Sequence, residues 1–192
     1  MHDPTAMQLH RRAPRMDGAV ITIGAFDGVH LGHQALIRGA CEAGARLGLP
    51  TVAWTFDPPP KVFFGRAPLL CTAYEKVAHI SALGADHLIL SRFDAAFRIR
   101  TPEDFIADLH SMNPAEIWVG NDFRFGAMQA GDVDMLARHF RVRLLDPVHC
   151  AEGERISSSR IRNLWQLGQY ELCRTLLGWQ DQFIYPEYEV AW

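Results

Sequence analysis

The chain has 192 residues, 48% of them hydrophobic and 21% charged, which suffices for one buried core and excludes a disordered chain. A net charge of -3 gives no general attraction to nucleic acid, so any phosphate recognition has to be local. The four cysteines, Cys41, Cys71, Cys150 and Cys173, form no close pair and read as thiols in a reducing compartment, and no segment is long and apolar enough to cross a bilayer, so a cytoplasmic protein is expected.

Residues 1–17 carry His2, His10, Arg11, Arg12 and Arg15 without a continuous apolar core and read as a flexible arm rather than a secretory signal. Val20, Ile21 and Ile23 then form a β-branched apolar run that Gly24 ends; after a turn at Asp27-Gly28, helical spacing resumes at Ala35, Leu36 and Ala40, and Gly48-Leu49-Pro50 closes the helix. The loop of such a strand–loop–helix unit offers free N–H groups and a helix amino terminus to phosphate. Here it holds His30-Leu31-Gly32-His33. Gly32 keeps the backbone slim, and two imidazoles three apart can face a phosphate without a fixed charge, although a histidine pair in a loop is also ordinary polar surface.

Residues 51–56 read as a second strand, followed by Asp57-Pro58-Pro59-Pro60, a stiff extended loop. Thr72 with Glu75 has the form of a capping box, so a helix runs toward Gly84. A third strand covers residues 87–90, Pro102 opens a further helix with Phe105 on it, and Glu116-Ile117-Trp118-Val119 is a fourth strand ended by Gly120. The string Asn121-Asp122-Phe123-Arg124-Phe125-Gly126 places a carboxylate, an amide and an arginine between two aromatics. It suits a pocket for a flat ring and a charged group or metal, and the phenylalanines could equally anchor the loop.

A helix over 132–140 and a fifth strand over 141–145 complete an alternation that predicts a doubly wound, Rossmann-like α/β fold with about five parallel strands. Ser157-Ser158-Ser159 precede a helical pattern at Ile161, Leu164 and Trp165, with Arg162 one turn on. This is a helix cap with a solvated arginine, or a second phosphate site in which the Arg162 fork takes two oxygens. Residues 169–177 are a last amphipathic helix, closed by Gly178.

Taken in order, GAFDGVHLGH, FDPPP, WVGNDFRFG, Gly131 and ISSSRIR resemble the adenylyltransferase (FMN adenylyltransferase) module of prokaryotic FAD synthetases, in the nucleotidyltransferase superfamily. The resemblance implies ATP and FMN as substrates, Mg²⁺, and transfer of AMP to the FMN phosphate by in-line attack on the α-phosphate, with release of diphosphate. It implies catalytic His30, His33 and Arg162, a nucleotide site of Gly24, Phe26, Asp27, Gly32, Ser158 and Ser159, a flavin site of Pro59, Phe64, Asp122, Phe123 and Phe125, and Asp122 as metal ligand. It divides the chain into an arm (1–17), a nucleotidyltransferase domain (18–179) and a tail (180–192) with no room for a riboflavin kinase barrel, which makes a separate riboflavin kinase a candidate partner. Members commonly carry a histidine where this chain has Pro59, and often a basic residue where it has Gln129. These departures leave room for a different phosphorylated acceptor or a non-catalytic binder of flavin or nucleotide.

Overall fold

The computed structural model of the chain describes residues 7–179; the tail expected over 180–192, and the first six residues of the arm, lie outside them. In chain order the elements are β1 (Gln8–His10), β2 (Ala19–Ile23), α1 (Leu31–Leu47), β3 (Thr51–Asp57), α2 (Pro60–Phe63), α3 (Ala73–Ala82) and β4 (His87–Arg92). There follow α4 (Pro102–His110), β5 (Pro114–Gly120), β6 (Arg124–Phe125), β7 (Gly131–Asp132), α5 (Val133–Ala137), β8 (Val142–Leu145), α6 (Ser158–Gln166) and α7 (Tyr170–Leu177).

Six strands form one parallel sheet in the order β1-β4-β3-β2-β5-β8. All five residues of β2 and six of the seven in β3 are buried, because helices cover both faces and neither strand can alternate apolar with polar. On one face Leu36, Ile37 and Ile80 from α1 and α3 pack on Ala53 and Leu88; on the other Phe105, Ile106 and Leu109 from α4 pack on Ile21, Ile23 and Trp54. Each such side chain contributes about 1.5–3 kcal/mol of transfer free energy. Gly39 lets α1 lie close on the sheet, since a Cβ there would stand 2.7 Å from the Trp118 ring.

Four details differ from the sequence reading. Residues 8–10 are no loose arm: they pair with residues 87–89 as an edge strand, the sixth of the sheet. The proline triplet is not extended throughout, because Pro60 starts the short α2, where a missing N–H costs nothing. The helix expected over 132–140 shrinks to α5, with Asp132 as its N-cap, its side chain accepting from the Met135 N–H. An antiparallel ribbon, β6 with β7, stands outside the main sheet.

The chain runs outward from β2 through β3 to β4, then crosses back to β5 and β8 on the other side of β2. The carboxyl ends of β2 and β5 therefore flank the crevice where the winding reverses, the usual ligand position in open α/β sheets.

Candidate active site

The loop leaving β2, residues 24–30, is tightly folded. Gly24 still donates its N–H to Trp54 O (3.1 Å), and a Cβ on it would lie 2.6 Å from the Phe26 ring. Phe26 and Val29 adopt left-handed backbone angles, φ 45° and 38°, a conformation that costs roughly 1–3 kcal/mol each and persists only where packing enforces it. Both are fully buried. The loop is closed by the α7 end, where Gln34 Nε2 donates to Leu177 O and Val29 O, and Trp179 Nε1 also donates to Val29 O.

His30 caps α1: its Nδ1 accepts the His33 N–H at 3.3 Å, which leaves the His30 ring proton on Nε2. The two imidazoles stack with centroids 3.6 Å apart, and the Phe26 edge meets His33. Burial pushes the His30 pKa down to about 4 and the His33 pKa well below the usual imidazole range; Arg162 adds to both, Arg155 to His30 and Lys76 to His33. Both rings are neutral at pH 7. His33 Nδ1 is buried and has no hydrogen-bond partner among the described residues, which is rare for a buried polar atom.

The segment before and within α6 straps across this loop. Ser157 caps α6, accepting the Arg160 N–H; Ser158 Oγ donates to Asp27 O (3.0 Å), and Lys61 Nζ donates to Ser159 Oγ (3.1 Å). Arg162 is held inside the protein from two sides. It is 8% exposed, its Nε donates to Pro68 O and its terminal nitrogen pairs with the Asp27 carboxylate. Two of the guanidinium nitrogens, Nε and Nη2, are engaged by protein oxygens, because α6 lies close enough to the β2 loop for a buried carboxylate to meet it. Asp27, expected at the nucleotide, is itself buried and also accepts the Leu70 N–H. Burial raises its pKa, while Arg162 and then Lys76 pull it back.

Asp122, past the end of β5, is exposed and pairs with Arg155 at 2.8 Å. Arg155 depresses the His30 pKa and Gly32 lies under Ile156 O. The strap therefore ties the β2 loop, through Arg162 and Asp27, to the end of β5, through Arg155 and Asp122. Among the described residues no three His, Cys, Asp or Glu stand together to hold a metal. The Asp122 carboxylate, the expected metal ligand, is held by Arg155.

The expected flavin residues divide. Phe123 stacks on Phe125, but Phe125 is buried in the core against Phe105, a correction to its expected place on a ligand. Pro59 is buried at the cap of α2. Phe64 is 44% exposed, with Phe63 and Phe93 against it and the Arg66 guanidinium 5.2 Å from its ring centre. Phe56, Phe63, Phe93 and Phe97 extend this aromatic group beyond the ends of β3 and β4. The sequence reading missed that group, as well as Lys76, whose signal was a lysine in line with Ala73 and Ile80 on the apolar face of α3. Two concavities, of about 620 and 450 Å³, open at the opposite edge around Gln8, Leu49, Pro50 and His87; neither includes a site residue expected from sequence, and the chemistry belongs to the carboxyl edge.

The family model described as FAD synthetase matches residues 13–160. A Geobacillus thermodenitrificans (strain NG80-2) relative, provisionally designated a bifunctional riboflavin kinase/FMN adenylyltransferase, is 47% identical over 164 residues, 85% of this chain and 92% of its own. The bifunctional riboflavin kinase/FMN adenylyltransferase of Escherichia coli (strain K12) is 36% identical over 87% of this chain and 56% of that protein, and that of Pseudomonas fluorescens 32% identical over 88% and 57%. The chain thus spans just over half the length of these last two. A crystal structure described as a macrolide-efflux protein from Streptococcus pneumoniae superposes with a TM-score of 0.78 at 28% identity, over 90% of this chain and 61% of that one. Among the described residues, no helix is long and apolar enough to cross a membrane.

Proposed function

This chain belongs to the FAD synthetase family, and from that membership we propose that residues 18–179 form a nucleotidyltransferase that joins FMN to ATP, giving FAD and diphosphate. The FMN phosphate oxygen attacks the α-phosphorus in line; the new P–O bond forms as the bond to the bridging oxygen of the β-phosphate breaks and diphosphate leaves. No protein nucleophile is needed, so catalysis is positioning plus neutralisation of growing charge.

The observation that carries this reading is the meeting of the residue 24–30 loop, the α6 amino terminus and Asp122 at the crevice between β2 and β5. His30 and His33 donate neutral N–H groups to the triphosphate, Gly24, Phe26 and Gly32 shape its bed, and Ser158 and Ser159 lie alongside. Arg162 acts by anchoring Asp27 and the loop rather than by gripping phosphate. Asp122 would hold Mg²⁺, which would supply positive charge to the phosphate oxygens. Phe64, Phe123 and the edge of Pro59 border the flavin. We place the reaction in the cytoplasm, consistent with four free cysteines, with FMN supplied by a riboflavin kinase.

Incubation with FMN, Mg²⁺ and α-labelled ATP tests the proposal: labelled FAD and diphosphate are expected, and no diphosphate with any flavin phosphate overturns it. Pro59 has no N–H to offer, which favours a second reading with another phosphorylated acceptor. A thermal-shift screen of acceptors separates the two, since a ligand at about a hundred times its Kd adds about 2.7 kcal/mol.

A further inference from the structure

Lys76 on α3 is 1% exposed, and its Nζ donates to Ala25 O at 3.0 Å and to Phe56 O at 2.8 Å. Those two carbonyls lie at the carboxyl ends of the neighbouring strands β2 and β3, one just past its strand and one on the penultimate residue of its own. Thr55 Oγ1 donates to the same Ala25 carbonyl at 2.9 Å, so two buried side chains fasten one peptide group from beneath. An ammonium is costly to bury, and a hydrophobe of similar volume would serve packing at least as well. What the ammonium supplies here is orientation and charge.

In a planar trans peptide the C=O and the following N–H point in opposite directions. With the Ala25 carbonyl held by Lys76 and Thr55, the Phe26 N–H is turned away from them. No hydrogen bond joins that N–H to any described residue, although Phe26 is 0% exposed. Buried N–H groups without an acceptor are rare, and Ala25 beside it is exposed, so this unspent donor stands one residue in from the solvent-facing edge of the loop.

We propose that Lys76 is a positioning residue for the nucleotide: together with Thr55 it fixes the Ala25–Phe26 peptide so that the Phe26 N–H meets a triphosphate oxygen. This rests on the reading that the loop binds ATP.

The full chain is compared with Lys76→Met and Thr55→Val, by calorimetric binding of Mg-ATP and by steady-state kinetics. In Lys76→Met the KM for ATP rises at least about tenfold while the KM for FMN stays within about twofold and the melting temperature is kept. Thr55→Val, which retains the charge, shows a smaller rise of about two- to fivefold in the same parameter. A Lys76→Met protein with the parental ATP affinity, or one in which ATP and FMN affinities fall together, overturns the proposal. If Lys76→Met does not fold, an unchanged ATP affinity in Thr55→Val overturns it instead. A parental chain that binds no Mg-ATP overturns the functional reading first, and is told apart by that control alone.

Discussion

The Arg162 guanidinium meets the Asp27 carboxylate across 135 positions of sequence, and both side chains are buried. The pair fastens the carboxyl-terminal helices to the loop after the central strand. Removing one partner leaves the other as an unpaired buried charge, at a cost of about 3–5 kcal/mol. Arg162→Ala is therefore expected to lower the urea midpoint sharply and to cut turnover more than tenfold. Arg162→Met combined with Asp27→Leu should recover most of the stability but not the turnover. Full stability in Arg162→Ala would show that the pair contributes little.

His33 offers a different balance. Its Nδ1 has no partner among the described residues, so His33→Ala forfeits no protein hydrogen bond from that atom, only the stacking on His30 and the Phe26 edge. A ligand contact to it would be worth about 1.5–3 kcal/mol, or more than tenfold in turnover. The expected result is a large loss of kcat/KM with a melting temperature lowered by only a few degrees. Unchanged kcat/KM would remove His33 from the site.

Acid should destabilise the fold before most carboxylates titrate. His30 and His79 have pKa values lowered by burial from 6.5 to about 4, and His33 shifts in the same direction. Between those values the unfolded chain binds protons that the folded chain refuses, so stability is fully present above pH 6.5 and is lost as pH falls toward 4. Each histidine contributes a slope of about 1.4 kcal/mol per pH unit. Asp27, whose pKa is raised, gains stability on protonation and offsets part of this at the acid end. Urea midpoints at pH 7, 6 and 5 should fall progressively; a flat series would mean the histidines are solvated.

Two phenylalanines separate core from ligand. Phe125→Ala opens a cavity against Phe105 and should cost about 3–5 kcal/mol in unfolding free energy. Phe64→Ala, at a half-exposed position, should cost under about 1 kcal/mol yet raise the KM for FMN severalfold. The opposite pattern would return Phe125 to the flavin and Phe64 to packing.

The alternation of buried runs with amphipathic spacing was legible along the chain, because strand and helix periods repeat within a few residues and the parallel arrangement follows from their order. So were the capping box at Thr72, the helix start at Pro102 and the histidine loop after the central strand, each being a local pattern; the second capping box, at Thr101, emerged only in the fold. Burial and pairing between distant residues obey no such period. The same Arg162 that presents a fork to solvent in an isolated helix is neutralised once α6 docks on Asp27. Phe125 becomes core because the β6–β7 ribbon folds it onto Phe105, and residues 8–10 become a strand only where β4 offers them an open edge. Lys76 acquires its partners only where the ends of β2 and β3 turn two carbonyls toward it. Sequence determined which elements form and which loops gather at one edge; tertiary structure decided which charges in those loops are already spent, because that depends on distances the chain sets only when it closes.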